Sequence, residues 1–199
     1  MALHLLTKMC DEINDLGEEG LSRVRDMALI RLLGPVSHFL LSMPRLHEEL
    51  DQGSFDSVQI SEALLTRELV RLASLVLLAQ LKRILNALYS DLGTYMRRFY
   101  DIIRVYRKQI TITSGLSRRV IDLRLWSLGS VATALVREQD EAQPGMILEE
   151  IWQMMTSLDI RDWDQIVDHM KSVASISQIH DPSLEALKGL FHRQTGLET

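Results

Sequence analysis

Apolar residues return at every third or fourth position along most of the chain, the spacing of a single buried helical stripe. Strand-like alternation of β-branched residues is confined to Gln109-Ile-Thr-Ile-Thr-Ser114. The pattern predicts an all-α fold, an irregular bundle of about seven to nine helices. A first helix is expected from Leu3 to Leu16, closing at Gly17. A second is expected from Glu19 to Leu33, stopped by Gly34-Pro35 because proline lacks the amide hydrogen that the next turn needs. Val36 to Met43 reads as an apolar turn or short helix before Pro44, and Asp51 to Ser57 as a polar loop.

The longest periodic stretch runs from Ser61, a candidate N-cap, to about Leu92. Its middle, from Leu69 to Leu81, is apolar on nearly every side, which predicts a long central helix near 61–92. Past Gly93, Tyr95, Phe99, Ile102, Ile103, Tyr106 and Ile110 make one helical face, with Arg97, Arg104 and Lys108 opposite. After Gly115 a helix from Arg118 to Val136 is expected to bury Val120, Leu123, Trp126, Leu128, Val131 and Leu135, with Gln143-Pro144-Gly145 ending that unit. Three shorter helices follow: Met146 to Leu158, Asp162 to Ala174 with Asp162 and Gln165 at capping-box spacing, and Pro182 to Arg193 with Pro182 at its first position. The expected organisation is one domain over 1–199: a helical hairpin at 1–50, a loop at 51–60, a main bundle at 61–138 and short helices at 145–193.

Composition narrows the classes. The chain has 199 residues, is 46% hydrophobic and 25% charged, and carries a formal charge of -5, which is too mild for a whole-protein polyanion binder. Cys10 is the only cysteine, so an internal disulfide and a thiolate zinc site are both excluded, and a reducing intracellular compartment is expected. His4 and Lys8 interrupt the N-terminal leucines, unlike a secretory signal, and the longest apolar run falls far short of a membrane span.

Candidate chemistry is sparse. Asp159, Asp162, Asp164, Asp168 and His169 cluster in sequence, but Trp163, Ile166 and Val167 interleave at helical spacing, so helix capping and a solvated face account for them better than a cation loop does. The six histidines lack the paired spacing of a zinc hydrolase helix. Cys10 is flanked by Asp11 and Glu12, which disfavour a thiolate. No nucleophile elbow, phosphate loop or dinucleotide fingerprint occurs. The sequence therefore assigns no catalytic, cofactor-binding or metal-ligating residue, and a non-enzymatic role is expected.

One imbalance stands out. Between residues 92 and 124, eight bases (Arg97, Arg98, Arg104, Arg107, Lys108, Arg118, Arg119 and Arg124) face two acids, Asp101 and Asp122. That is a local charge of +6, which leaves -11 on the rest of a chain whose total is -5. Buried aromatics with arginines that meet acidic segments of the same fold account for most of it, and a docking face for an acidic partner is the functional alternative. Arg71, set between Leu69 and Leu72, must either reach solvent along its stem or pair with Glu68 or Glu62.

Three segments in order resemble the C-terminal regulatory, middle-homology-like region of fungal binuclear zinc-cluster transcription factors. They are Glu68-Leu-Val-Arg-Leu-Ala-Ser-Leu-Val-Leu-Leu78, Leu123-Arg-Leu-Trp-Ser-Leu-Gly-Ser-Val-Ala-Thr-Ala134, and Leu158-Asp-Ile-Arg-Asp-Trp163 with Met170-Lys-Ser-Val173. The resemblance spans about residues 60 to 192. It implies a regulatory helical domain that acts through a protein partner or a small effector, in the nucleus, with Trp126 and Trp163 as core anchors. The family's DNA-binding module needs six cysteines for two zinc ions, and this chain has only Cys10, so no direct DNA contact is expected of it. A general helical scaffold or adaptor is the alternative, and an all-α enzyme a more distant one.

Overall fold

The computed structural model describes residues 2–15, 30–45, 62–85, 91–111, 115–138, 144–160 and 162–195. Among them are eight helices and no strand: α1 (Ala2–Asp15), α2 (Ile30–Ser42), α3 (Glu62–Ile84), α4 (Leu92–Thr111), α5 (Arg118–Arg137), α6 (Pro144–Ser157), α7 (Trp163–Lys171) and α8 (Ser177–Thr195). The protein is all-α. Helices α3 and α5 make the most extensive contact, α2 and α4 flank α3, and α6, α7 and α8 gather on α5. Apolar side chains from all eight helices join one core. Every residue from Arg71 to Leu81 is buried, because α3 meets neighbours on several sides at once.

Local chemistry sets the helix boundaries. Gly115 takes a φ of +81°, open to glycine at no steric cost, and turns the chain between α4 and α5. Ser117 then caps α5 by accepting the Val120 amide, and Asp162 caps α7 by accepting the Asp164 amide at 3.1 Å. Trp126 and Trp163 are both buried, with Trp163 stacked at a tilt on Phe191 at 4.9 Å.

The short connection from α7 to α8 is held from outside. The Trp126 indole donates to the Ala174 carbonyl, Thr7 of α1 donates to the Val173 carbonyl at 3.0 Å, and Asn14 of α1 both donates to the Ser175 carbonyl and accepts the Ser177 amide. His180 accepts the Ile176 amide at 2.9 Å. The Val173, Ala174 and Ser175 carbonyls and the Ile176 and Ser177 amides thus all find partners.

Several predicted boundaries move. Gly34-Pro35 does not stop a helix: α2 runs through it, because both residues face solvent while Leu33, Val36 and Leu40 on the other side are buried and hold the turns together. The helix predicted to reach Leu92 ends at Ile84, and the next begins at Leu92 rather than past Gly93. Pro144 and Gly145 open α6 instead of ending the unit before it, consistent with proline's preference for a first helical position. Pro182 lies inside α8, which starts at Ser177, and its ring faces solvent. Gln109 to Thr111, read as strand-like, form the last turn of α4. Gly17, Ser61 and the 51–57 loop lie outside the described residues, as does most of the predicted second helix.

Candidate functional site

Among the described residues, part of α3 opens onto a cleft. Ala63, Thr66, Arg67, Val70 and Ser74, which share one side of the helix, line this cleft of about 490 Å³. Leu3 of α1, Phe39 and Leu40 of α2, Met43 just past α2, and Val120 and Leu123 of α5 line it as well. The predicted burial of Val120 and Leu123 is corrected here: both are only half-buried, because they line this opening. Phe39 leaves 37% of its surface exposed at the cleft's edge. The volume and the largely aliphatic walls fall in the range of small-molecule sites.

The polar groups of this cleft are few and fixed. Arg71 is buried, and its guanidinium grips Glu68 in two parallel bonds, Nε to Oε2 at 2.7 Å and Nη2 to Oε1 at 2.6 Å. Its Nη1 donates a longer bond, 3.4 Å, to the Leu40 carbonyl, tying α3 to α2. Arg67 at the rim donates to the Pro44 carbonyl at 3.2 Å and adds a positive charge. Of the two acids open to Arg71 from the sequence, Glu68 is the partner, and Glu62 goes elsewhere.

Glu62 pairs with Arg124 of α5, a fully buried arginine that also donates to Thr66 Oγ1 at 3.1 Å and to the Gln109 and Ile110 carbonyls at 3.0 and 3.1 Å. Those carbonyls end α4, where the helix dipole favours a cation, and Glu62 sits in the first turn of α3, where it favours an anion. One side chain thereby joins three helices beneath the cleft. Arg124 belongs to the basic segment singled out above, yet none of its charge reaches the surface.

A second, polar cleft of about 320 Å³ lies between α5 and α7, lined by Arg118, Asp122, Gln165, Asp168, His169 and Ser172. His169 Nδ1 meets Asp122 Oδ1 at 2.6 Å, an arrangement that orients an imidazole. Ser172, which also lines the cleft, donates its hydroxyl to the His169 carbonyl rather than to the ring. The acids of the sequence cluster separate: Asp159 sits in a turn at positive φ, Asp162 caps α7, Asp164 pairs with Lys188, and Asp168 lines the polar cleft. Among the described residues no group of three or more His, Cys, Asp or Glu is placed to hold a metal ion, and no helix is long and apolar enough to cross a membrane.

Burial sets the remaining titratable groups. The Cys10 thiol is pushed up to about 12 by burial, with Asp11 adding to it, which leaves it a poor nucleophile. Burial lowers His180 to about 4, so it is neutral in the fold, with Nδ1 accepting the Ile176 amide. Glu150 of α6 is closed off from solvent and raised to about 6 by burial, against the pull of Arg107, which bridges Glu149 and Glu150. Sequence reasoning missed Glu150 and His180, although Glu150 falls in step with Ile147, Ile151 and Met154, and His180 with Ile176, Leu184 and Leu187. A polar residue at a stripe position was the available signal.

The chain matches no family model, no curated protein and no solved structure.

Proposed function

We propose that this chain is a non-catalytic, transcription-regulator-like helical domain, working in the nucleus, whose state is set by a small effector bound in the cleft over α3. The observation that carries the reading is the cleft itself: a largely aliphatic lining from α1, α2, α3 and α5 that includes the basic side chains of Arg67 and Arg71. The effector that suits it has an apolar body and a single oxygen acceptor or carboxylate. The order of the three resembling segments supports the regulatory part, and the first of them contains the Glu68–Arg71 pair that forms the cleft's polar anchor.

Fusing the chain to an unrelated DNA-binding domain above a reporter gene tests the regulatory part. The expected result is reporter output at least severalfold away from that of the DNA-binding domain alone. A Val70→Trp variant, which fills the cleft, should no longer respond to its growth medium or added apolar acids. Equal output from fusion and control contradicts the regulatory reading, and unaltered response in the Val70→Trp fusion contradicts the cleft.

A further inference from the structure

Thr7, Ser37, Ser74, Ser127 and Thr156 each donate their hydroxyl hydrogen to the carbonyl four residues back, the local bond that a helix offers such a side chain. Thr66 of α3 does not. Its Oγ1 accepts the Nε–H of the buried Arg124 at 3.1 Å, and among the described residues no acceptor meets its own hydrogen. Thr66 and Ser74 both line the cleft over α3, about two helical turns apart, and they differ in what they can give a ligand. The Ser74 hydrogen is committed to the Val70 carbonyl at 2.7 Å. Thr66 has a lone pair committed to a guanidinium and keeps its hydrogen, and the cation bound to its oxygen makes that hydrogen the stronger donor.

From this we infer that Thr66 is the residue that selects the effector's oxygen, by donating its hydroxyl to a carboxylate or carbonyl at one end of the bound molecule. The inference rests on the effector reading above and names the atom that gives that reading its chemistry. Thr66 is only 5% exposed, so little water competes for its hydrogen once an apolar body fills the cleft. Arg67, the next residue, adds positive charge to the same lining and favours an anionic acceptor. Arg71 is already held by Glu68 and the Leu40 carbonyl. A molecule whose only polar group is an amine meets a donor here and is disfavoured, and one with no acceptor gains nothing from Thr66.

The test titrates the methyl-labelled chain with decanoic acid, with its uncharged methyl ester and with butylbenzene, which has no acceptor. In Thr66→Val the acid should bind about tenfold more weakly and the ester a few-fold more weakly, while butylbenzene stays within about twofold. Thr66→Ser should restore the acid, and Ser74→Ala should leave all three within about twofold. In the unaltered chain, nuclear Overhauser contacts should join the Thr66 methyl to the methylene beside the carboxylate and not to the chain's terminal methyl, a readout that stands if Thr66→Val does not fold. Butylbenzene binding together with failure of both the acid and the ester overturns the selection by oxygen, and failure of all three overturns the cleft reading with it. Acid binding that is unmoved by Thr66→Val, equally weakened by Ser74→Ala, or reversed in orientation sinks the role of Thr66 alone.

Discussion

Arg124 and Arg104 carry the same guanidinium in the same basic segment, and the fold uses them in opposite ways. Arg124 is 0% exposed and fully engaged, by Glu62, Thr66 and two helix-terminal carbonyls, while Arg104 keeps 74% of its side chain in water beside Asp101. Arg71 belongs with Arg124, since its two bonds to Glu68 satisfy both charges inside the core. A charge leaves water at tolerable cost only when its partner and remaining donors are provided for, so the buried arginines define the arrangement of α2, α3, α4 and α5. Arg104 by contrast meets its acid in water, where the pair contributes little to the fold. Net charge alone treats the two populations as one.

The largest effects should come from breaking the buried set. Arg71→Met strands the Glu68 carboxylate, and urea denaturation should show a loss of about 3–5 kcal/mol. The double variant Glu68→Leu/Arg71→Met removes both charges and should recover most of that loss. If single and double variants are equally unstable, the pair does not hold the interior as described.

Next in size are two opposed pH effects. His180 has its folded value depressed to about 4 from 6.5, so the stability it contributes is present above 6.5 and lost as pH falls toward 4, about 3 kcal/mol in all. Glu150 has its folded value raised to about 6 from 4.5, so its contribution is full below 4.5 and lost as pH rises through 6, about 2 kcal/mol. Denaturation midpoints followed from pH 4 to 8 should lose the acid limb in His180→Leu and the neutral limb in Glu150→Gln. The smallest effect belongs to the surface set: Arg104→Ala should shift stability by no more than about 0.5 kcal/mol. A larger loss there would erase the contrast with Arg124.

Helix class and the course of α4 and α5 were legible because amphipathic spacing is a local property, and Arg118 was read as the start of α5. Pro35 and Pro182 misled because proline ends a helix only where packing does not carry the turns onward, and in both places the ring faces solvent while its neighbours are buried. The α3–α4 break was misplaced because a glycine permits a break without dictating one. The cleft was not legible at all, since it arises from α1, α2 and α5 meeting one face of α3. Arg124 could have been found: it keeps step with Leu128, Val131 and Leu135 on a buried stripe, which marks an arginine requiring an internal partner.

The most direct test is of the proposal that the cleft over α3 takes an apolar molecule by its oxygen. Methyl-labelled protein titrated with decanoic acid, with decylamine as the opposite-charge control, tests it by NMR. Expected are saturable shifts at Leu3, Leu40, Val70, Val120 and Leu123, no comparable change at the buried Ile147 or Leu187, little response to the amine, and loss of the response in Val70→Trp. Shifts that fail to saturate, spread evenly through the core, or follow the amine as well as the acid would contradict it.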